Sequence, residues 1–533
     1  MPTRHVPVLV VGGSLVGLSM SALLAHHGVP HLLVESHAGT AIHPRAASFH
    51  QRTMEVFRSL DIQQAVEAAA ESEFVQNGAI IAVQSLGGKE LATFFANFNA
   101  GVEDLSPTAR LFITQVGLEP ILRDRAVELG AEHLFNTELV SMTEHPDHVE
   151  AVLRPRAGGE DIEVSADSVV AADGAHSLIR QQLGIAMAGH GDVADCVTIY
   201  FRADVSDLIG DRNLSVVYVN HPEMFAFFRF ALDAWSGFLA VFATFDADGT
   251  RDTNVSHDLS EDRCIELVRT ALGAAPDLPV EVESVQYWTT SAVTAETFGK
   301  GRVFLAGDSA HVMPPTGGFG GNTGVADAHN LAWKLALVHR GVAGPELLST
   351  YGDERRPTAE LTVEQAYTRY VLRVDPSLPQ DDLQPSLDDP SIELGSIYRS
   401  AAVAADDQVT PPLEDPREAT WAVGARVPHR YVDAERATST LDLVGGSFAL
   451  IVPAGHEEWR AAADVAAART GLRVTVCEVE DGGDIDLPGA VLIRPDGVIG
   501  WASAQMSPEA AARLPDALDA LLSRAPVAAL TRG

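Results

Sequence analysis

The first 35 residues carry the pattern that restricts the fold most. Residues 8–11 form an apolar, β-branched run, residues 15–27 have the composition of a helix, and a second apolar run ends in Glu35. Gly12 and Gly17 stand at the outer positions of a GxGxxG turn, and Glu35 follows at about the distance expected of an acid that hydrogen-bonds a ribose. The pattern predicts a βαβ unit that binds a dinucleotide at the end of its first strand.

The turn departs from the usual fingerprint because Ser14 replaces the middle glycine. A serine is still small enough to lie close to a pyrophosphate, and it is a favoured residue for capping a helix. We therefore interpret the site as modified rather than lost. A secretory signal peptide is the alternative, since Arg4 precedes the apolar run. The break at Gly12 and the second strand that follows at once favour a folded unit.

A second ligand-binding pattern spans residues 307–335. Asp308 follows a short apolar run at residues 303–306, and the end of a parallel strand is a usual place for a ligand-binding carboxylate. The glycines beyond it permit tight turns, and a helical pattern begins near Val325. The free N–H groups of that helix favour an anionic or electron-rich ligand. A purely structural strand–turn–helix is the alternative, which the independent βαβ unit disfavours.

A third motif, VVAADGAHSLIR at residues 169–180, lies between these two stretches. Together the three motifs resemble the group A flavoprotein monooxygenases, the FAD-dependent aromatic hydroxylase family, over about residues 5–360. The resemblance implies an FAD cofactor. The residues that match the FAD-binding positions of the family are Gly12, Gly13, Ser14, Val16, Gly17, Glu35, Arg45, Gln115, Asp173, Gly174, Asp308, Pro315, Gly318, Gly320, Gly321 and Asn322.

The family gives particular roles to several of these positions. It implies that Asp308 contacts the ribityl chain of FAD and that Asp173 lies near the pyrophosphate and the nicotinamide cofactor. Arg45 matches an arginine that helps to hold the FAD phosphates, and Gln115 matches a glutamine near the flavin. Without the resemblance, a solvated surface charge is the alternative for Arg45.

The flavin ring itself is implied to lie against the glycine-rich loop. Pro315 and the backbone at Gly321 and Asn322 match the segment under the isoalloxazine ring, and these three residues are the catalytic candidates. Phe319 stands where many relatives have glutamine, so the surroundings of the ring differ from theirs.

The resemblance, together with the patterns along the chain, implies an α/β protein with a Rossmann-type FAD-binding domain, an inserted antiparallel-sheet domain for the substrate, and a thioredoxin-like C-terminal domain. Residues 196–245 alternate and are rich in aromatic side chains, which is typical of an antiparallel sheet. The expected limits are residues 1–75, 101–195 and 286–400 for the FAD-binding domain, 76–100 and 196–285 for the sheet, and 401–533 for the C-terminal domain. The polar candidates on the sheet, each more often structural than functional, are Tyr200, Tyr218, His221, Arg229 and Tyr287.

The C-terminal domain resembles the thioredoxin-like domain of the phenol hydroxylase branch, through a βαβ order followed by a hairpin at Asp496 and Gly497. Cys477 is its single thiol, so it has no CxxC pair to cycle. We expect it to pack on the FAD-binding domain or on another subunit, as in a homodimer.

Composition also disfavours several classes of function. The net charge of −36 opposes binding to the phosphates of nucleic acids and to anionic membranes. The sequence contains no run of about 18 apolar residues, the length that a membrane-crossing helix needs. The three cysteines, Cys196, Cys264 and Cys477, have no CxxC or metal-ligand spacing, so we expect neither a disulfide framework nor a metal. A reducing cytoplasmic location fits these cysteines.

The resemblance implies an FAD-dependent monooxygenase that hydroxylates an aromatic ring through a flavin hydroperoxide, with dioxygen and NADPH or NADH as co-substrates. Residues 43–46 (HPRA), residues 313–324 (MPPTGGFGGNTG) and the terminal domain are most similar to actinomycete hydroxylases of aromatic polyketides, of the tetracenomycin and anthracycline type. A multi-ring phenol or quinone in antibiotic biosynthesis is the implied substrate. Baeyer–Villiger insertion and a flavin-binding protein without turnover are the alternatives.

Overall fold

The computed structural model describes residues 4–43, 47–245, 248–252, 258–404, 412–433, 435–479 and 485–524, and Arg45 lies outside these ranges. The strands, numbered in chain order, are β1 (Arg4–Val11), β2 (His31–Val34), β3 (Ser48–Phe49), β4 (Ala79–Val83), β5 (Glu90–Phe95), β6 (Leu111–Phe112), β7 (Glu132–Leu134), β8 (Thr137–Glu144), β9 (Val149–Pro155), β10 (Ile162–Ala171), β11 (Met187–Arg202), β12 (Leu214–His221), β13 (Met224–Phe230), β14 (Ser236–Phe245), β15 (Arg251–Asp252), β16 (Glu281–Ala295), β17 (Gly299–Lys300), β18 (Val303–Leu305), β19 (His311–Val312), β20 (Phe448–Pro453), β21 (Val474–Val479), β22 (Ala490–Ile493) and β23 (Ile499–Ser503).

The helices are α1 (Leu15–His26), α2 (Gln51–Ser59), α3 (Gln63–Glu73), α4 (Gln115–Glu128), α5 (Leu178–Gln182), α6 (Ser206–Ile209), α7 (Glu261–Leu272), α8 (Phe319–His339), α9 (Ser349–Arg373), α10 (Asp389–Leu394), α11 (Glu457–Thr470), α12 (Pro508–Ala511) and α13 (Leu514–Leu521). Among the described helices, none is long and apolar enough to cross a membrane.

The first sheet is the predicted Rossmann-type sheet. Its strands follow the order β17-β18-β10-β1-β2-β7, and β18, β10, β1, β2 and β7 run parallel. The central strands β1, β2 and β10 consist of nearly continuous buried apolar residues, as expected of parallel strands that are covered on both faces. Helix α1 follows β1 and packs on α8, which brings the two glycine-rich motifs together.

The second sheet is antiparallel over most of its width, in the order β19-β16-β11-β14-β13-β12-β4-β5. One face packs its apolar side chains, such as Val217, Val219 and Leu239, in a core with residues of α7. The other face, which we call the inner face, carries the alternate residues of the same strands. Strands β11 and β16 extend beyond the limits of 196 and 285 expected for this domain, because both run on into the first domain as continuous strands.

The third sheet confirms the thioredoxin-like C-terminal domain. Its order is β21-β20-β22-β23, in which β20 and β21 are parallel and the other pairs are antiparallel. Helix α11 connects β20 to β21, and α13 packs beside it. Cys477 lies half-buried on β21.

Buried ions join the C-terminal domain to helices α8 and α9. Glu354 accepts hydrogen bonds from Lys334 Nζ at 2.8 Å and from Arg494 Nη1 at 2.6 Å, and these three side chains are 0% exposed. Asp496 accepts from Arg494 Nε at 3.0 Å, and Asn330 Nδ2 donates to Glu354 at 2.6 Å. The two cations and two carboxylates balance in charge, so the cluster is a neutral buried unit.

Two helices begin elsewhere than the sequence predicts. Helix α8 begins at Phe319, within the glycine-rich loop, and not near Val325. Gly318 has a left-handed φ of 69° and forms the N-cap, and Gly324 lets Val16 approach the helix backbone closely. The spacing of Met54, Val56, Phe57 and Leu60 predicts a helix from residue 45 to residue 60, but helix α2 begins at Gln51. Strand β3 occupies Ser48 and Phe49 because it pairs with β6.

Candidate active site

The four motif-bearing strands end at the same edge of the first sheet. Val11 of β1 lies opposite both Val34 of β2 and Ala171 of β10, and Ala171 lies opposite Leu305 of β18. The residues that follow these strands, from Gly12 to Asp308, are therefore neighbours although they are far apart in sequence. A crevice at the carboxyl ends of parallel strands is the general ligand site of such sheets.

The turn after β1 has no space for larger side chains. A Cβ atom added to Gly17 would lie 1.9 Å from the carbonyl oxygen of Gly12, and one added to Gly12 would lie 2.2 Å from that of Ala172. A Cβ on Gly13 would lie 2.6 Å from the Cβ of Glu35. The glycines let α1 start directly against the strand ends, so its N-terminal N–H groups face the crevice edge.

Glu35 closes one side of this turn. Its Oε2 accepts from the backbone N–H of Gly13 at 2.6 Å, while its Oε1 accepts from the backbone N–H of His37 at 2.7 Å and contacts Nδ1 of the same residue at 2.6 Å. These donors outweigh the effect of burial and lower the pKa of the Glu35 carboxyl. Glu35 is therefore ionised at neutral pH, and Oε2 has capacity for one further donor.

Ser14 does not cap α1, contrary to the prediction. It occupies the N-cap position, but its hydroxyl donates to Glu119 Oε1 at 2.6 Å. Gln115 Nε2 donates to the same oxygen at 3.1 Å, and the other oxygen of Glu119 accepts from the backbone N–H of Ala41 at 2.6 Å. Sequence reasoning missed Glu119, a fully buried residue; its only local signal is its position four residues after Gln115 on one helix face.

The two aspartates of the central motifs have different surroundings. Asp308 is exposed at the end of β18, whereas Asp173 is half-buried beside Gly174, which has a φ of 84°. Oδ2 of Asp173 accepts from the N–H of Ile179 at 3.3 Å, but its buried Oδ1 has no hydrogen-bond partner among the described residues. Burial raises the pKa of the Asp173 carboxyl. An unsatisfied buried oxygen at this edge fits a ligand that donates a hydrogen bond.

Val16 brings α1 against the other glycine-rich motif. A Cβ atom added to Gly307 would lie 2.7 Å from Val16 Cγ2, and one added to Gly324 would lie 2.4 Å from it. The side chain of Val16 thus packs between the turn after β18 and helix α8. Val16 would therefore support a cofactor site by setting the distance between α1, the turn after β18 and helix α8.

The loop before α8 presents backbone rather than side chains. Pro315 is exposed, and Gly320 is open, since the nearest atom to an added Cβ would be Met313 Cγ at 3.8 Å. The N–H groups of Gly320 and Gly321 belong to the first turn of α8, where they have no acceptor within the helix. This turn forms a surface of N–H donors at the positive end of a 21-residue helix.

The side chain of Asn322 is fully used within the protein. Its Oδ1 accepts from the N–H of His50 at 2.9 Å and from Thr53 Oγ1 at 2.6 Å, and its Nδ2 donates to the carbonyl oxygens of Ser48 at 2.9 Å and Gly318 at 2.7 Å. The amide therefore fastens the first turn of α8 to the segment between β3 and α2. Asn322 can therefore contribute to catalysis only by holding the backbone of this turn in place.

A buried triad that the sequence analysis missed holds the turn after β18. Asp327 accepts from the N–H of Gly307 at 3.0 Å, from His311 Nε2 at 2.7 Å and from Arg355 Nε at 2.8 Å. The His311 and Arg355 partners lower the pKa of the Asp327 carboxyl despite its burial. Arg355 lies on α9, near the end of the stretch of about residues 5–360 that resembles the family.

Some of the polar candidates of the second sheet lie on its inner face and others do not. Tyr200 and Tyr218 alternate with core residues and belong to the inner face. Tyr287 is 43% exposed and its hydroxyl accepts from the N–H of Leu259, while His221 accepts from the N–H of Glu223 in a turn. Arg229 is buried between the rings of Phe74 and Phe112 at 4.2 Å and 4.1 Å, and it donates to the carbonyl oxygen of Ala47.

The described residues include one group with metal-ligand side chains, which lies at the turn between β8 and β9. It consists of His145, His148 and Glu150, whose ligand atoms lie within 4.8 Å of one another on the surface. The group belongs to a hairpin of the first sheet and not to the crevice, so it has no part in the candidate active site.

The family models match most of the chain. The model described as "FAD binding domain" matches residues 5–366, and the one described as "Aromatic-ring hydroxylase, C-terminal" matches residues 420–525. The chain belongs to the FAD-dependent aromatic-ring hydroxylases. As a member of this family it is an FAD-dependent monooxygenase.

Relatives within these hydroxylases match over nearly their full length. The chain is 44% identical to a 4-methyl-5-nitrocatechol 5-monooxygenase from Burkholderia sp, over 98% of each chain. It is 36% identical to the tetracenomycin A2 monooxygenase-dioxygenase of Streptomyces glaucescens, again over 98% of each. The solved structure of aklavinone-11 hydroxylase with FAD and aklavinone superposes with a TM-score of 0.89 at 35% identity, covering 98% of this chain and 100% of the other.

The crevice of this hydroxylase fits FAD. Its turn admits only glycine next to the strand ends, Asp308 is exposed at a strand end, and Asp173 Oδ1 is buried without a partner among the described residues. The first turn of α8 adds N–H donors that have no acceptor within the helix, and these suit an electron-rich ring system.

A buried carboxyl group behind the glycine-rich loop makes the stability of the hydroxylase depend on pH. The side chain of Glu393, on α10, is 2% exposed, and Arg110 Nε donates to it at 2.9 Å. Next to it, His50 contacts the carbonyl oxygen of Gly317 at 3.2 Å. Burial outweighs the attraction of Arg110 and raises the pKa of Glu393 to about 7.

We expect Glu393→Gln to remove this dependence of the stability on pH. The folded-state pKa of Glu393 exceeds the unfolded value, so its neutral carboxyl stabilises the wild type fully below about pH 4.5. This stabilisation is lost as the pH rises through about 7. Between pH 5 and 8 the free energy of unfolding should change by about 1–3 kcal/mol in favour of the variant relative to the wild type. Urea midpoints at several pH values measure this difference, and parallel curves would contradict the assignment.

Proposed function

We propose that this enzyme hydroxylates a phenolic ring of an aromatic polyketide, with one oxygen atom from dioxygen and with NADPH or NADH as the reductant. The observation that carries the proposal is the inner face of the second sheet, where aromatic side chains form a wall. Arg229 of the same sheet donates to the carbonyl oxygen of Ala47, next to the segment that Asn322 fastens to α8. Flat aromatic walls suit a planar multi-ring substrate, because ring stacking and burial both favour binding.

We also propose which residues hold FAD. The N-terminal turn of α1, with Gly12, Gly13 and Gly17, would bind the pyrophosphate, and Glu35 Oε2 would accept from a ribose hydroxyl. Asp308 would accept from the ribityl chain. When bound, FAD supplies the redox chemistry that activates dioxygen.

The chain contributes positioning and electrostatics around that chemistry. The N–H groups of Gly320 and Gly321 would stabilise negative charge on a ring that lies against the first turn of α8, with Pro315 on the same loop. Asn322 and Asp327 keep this turn in place through their buried hydrogen bonds. The apolar inner face would exclude water and orient the substrate ring, and orientation contributes much of the rate in such reactions.

We also propose that the chain has three domains with the limits expected from the sequence and that it assembles as a homodimer. The continuous strands β11 and β16 support a sheet domain that is inserted in the FAD-binding domain. With a single FAD fingerprint in the chain, the nicotinamide cofactor would bind transiently near Asp173.

A second candidate function is the hydroxylation of a substituted catechol. The 44% identity to a 4-methyl-5-nitrocatechol 5-monooxygenase exceeds the 36% identity to the tetracenomycin A2 enzyme, at equal coverage. The two candidates share the same chemistry and differ in the size and charge of the ring system. The substrate that the enzyme oxygenates therefore decides between the two functions.

Turnover in labelled dioxygen tests the proposal. The purified holoenzyme is given NADPH or NADH and, in separate reactions, aklavinone, tetracenomycin A2 or 4-methyl-5-nitrocatechol. A hydroxylase should place one labelled oxygen atom on a ring carbon and oxidise one nicotinamide per coupled turnover. Preference for a polyketide supports the first candidate, and nitrite release from the catechol supports the second. Label inserted into a ring carbon–carbon bond would instead establish Baeyer–Villiger chemistry, and oxidation without label would contradict oxygenation altogether.

A further inference from the structure

The turn between β8 and β9 carries three side chains of the types that bind metal ions. His145 and His148 flank Pro146 and Asp147 in this turn, and Glu150 is the second residue of β9. The nitrogen and oxygen atoms of the two histidines and the glutamate that could bind an ion lie within 4.8 Å of one another. We call these three residues the turn site. It lies outside the crevice, and the proposed hydroxylation does not use it.

Both histidines face the carboxylate of the turn site. Nε2 of His145 lies 3.3 Å from Oε2 of Glu150, and Nε2 of His148 lies 3.5 Å from Oε1. Two atoms that each bind a tetrahedral zinc ion at about 2.0–2.2 Å are themselves about 3.3–3.6 Å apart. The distances to the carboxylate therefore already match those of a zinc site. The two rings are stacked with their centroids 4.7 Å apart, so a rotation about their side-chain bonds brings the two nitrogens to a common ion.

The nitrogen of His145 that faces Glu150 has no hydrogen-bond partner among the described residues. This atom, Nε2, is shielded from solvent, and its contact with the carboxylate does not have the geometry of a hydrogen bond. A polar atom that meets neither water nor a partner is costly, and such an atom calls for a ligand. A metal ion that accepts the lone pair of Nε2 would remove this cost.

A second carboxylate orients the ring of His148. Nδ1 of His148 lies 2.9 Å from Oδ1 of Asp147. An ionised carboxylate can only accept a hydrogen bond, so Nδ1 carries the proton and the lone pair of the neutral ring is on Nε2. This is the nitrogen that faces Glu150. Histidines that bind metals usually have such a partner on their other nitrogen, because it fixes the ring and makes it more basic.

The turn has a defined shape that does not depend on an ion. The backbone N–H of His145 donates to the carbonyl oxygen of His148 at 2.8 Å, and the ring of Pro146 restricts the backbone between them. Arg302, which precedes β18, donates to the carbonyl oxygen of Pro146 through Nη2 at 2.9 Å and Nε at 3.2 Å. The backbone N–H of Arg302 donates to Glu144 at 2.6 Å. A turn that is already ordered loses little entropy when it binds a ligand.

We propose that the turn site binds one divalent transition-metal ion, preferably zinc, through Nε2 of His145, Nε2 of His148 and the carboxylate of Glu150. Two imidazoles and a carboxylate are a zinc ligand set, and imidazole also suits copper and nickel, whereas magnesium and calcium prefer oxygen ligands. A water molecule would complete the tetrahedron. The ion would fasten the turn to β9. The cysteine spacing predicts no metal, but this site contains no cysteine, and the inference does not rest on the proposed function.

Equilibrium dialysis of the oxidised holoenzyme against zinc chloride, followed by elemental analysis, tests the inference. The protein carries no histidine tag and is first freed of metal with a chelator. The dialysis is done at about pH 8, where histidine side chains are deprotonated. The matched control is His456→Ala, which removes a surface histidine that pairs with one carboxylate. The test variants are His145→Ala, His148→Ala, Glu150→Gln and Asp147→Asn.

The wild type should bind one zinc ion per chain at a saturable site, and an excess of magnesium should not displace it. Asp147→Asn should weaken zinc binding by about tenfold to a hundredfold, and loss of any of the three ligands should weaken it more. His456→Ala should bind zinc as the wild type does. Zinc should raise the thermal midpoint of the wild type and of the control, but not that of the three ligand variants.

Thermal midpoints without zinc separate lost binding from lost folding. All variants should melt at the wild-type midpoint, since each substitution is made in or beside a surface turn. An adventitious ion only would appear as weak binding without saturation that no ligand substitution reduces, and this result would overturn the inference. Equal loss of zinc in His456→Ala, or displacement of zinc by magnesium, would overturn it as well.

Discussion

Asp308→Ala is expected to purify with little bound FAD. Asp308 is exposed at the end of β18, beside a turn that Asp327 and Arg355 hold in place. A charge-assisted hydrogen bond to a bound ligand contributes about 1.5–3 kcal/mol, so its loss should raise the dissociation constant of FAD by roughly tenfold to a hundredfold. The ratio of flavin to protein absorbance and a titration of the apoprotein with FAD both measure this effect.

A matched control separates loss of the ligand contact from loss of charge. Asp353→Ala removes an exposed carboxylate from α9, which lies outside the crevice, and should purify with the same flavin content as the wild type. If Asp308→Ala were as yellow as the control and equally active, Asp308 would not be a cofactor ligand.

Glu354→Gln is expected to cause the largest loss of stability. The carboxylate is 0% exposed and balances Lys334 and Arg494, so the substitution leaves an excess positive charge in the interior. Removing one partner of a buried ion pair typically costs about 3–5 kcal/mol. The urea or thermal midpoint of the holoenzyme should fall accordingly, and the C-terminal domain should become sensitive to proteolysis.

Two further variants show whether charge is the cause. Glu360→Gln changes an exposed pair on the same helix and should cost at most about 1 kcal/mol. The double substitution of Glu354→Gln with Lys334→Met restores the charge balance and should recover part of the loss. A single variant as stable as the wild type would show that the cluster does not hold the C-terminal domain.

Much of the fold follows from local patterns. The apolar runs that end at Val11, Val34 and Ala171 are the central parallel strands, and the alternation in residues 196–245 is the antiparallel sheet. These strands can be predicted from the sequence because the periodicity of apolar side chains indicates which face of a strand or helix is buried. The exceptions are instructive: the pattern from residue 45 predicts a helix, but pairing with β6 makes Ser48 and Phe49 a strand.

The glycine-rich loop shows where local propensity fails. Glycines disfavour helices, so the pattern places the start of α8 near Val325, whereas the helix begins at Phe319. Packing overrides propensity here, because Val16 lies against Gly307 and Gly324 and Asn322 ties the first turn to His50 and Ser48. A longer helix moves the N–H donors to Gly320 and Gly321, next to Pro315.

The sequence by itself determined the family, the order of the three motifs and the strands that carry them. Those features are encoded in short stretches, where the glycines, the acids and the apolar periodicity are adjacent along the chain. Only the tertiary structure decided how Glu119 accepts a hydrogen bond from the hydroxyl of Ser14, how Glu354 pairs with Arg494, and how Asp327 joins the N–H of Gly307 to Arg355. Each of these pairings joins residues that are distant in sequence, and no local periodicity records which buried donor will meet which acceptor.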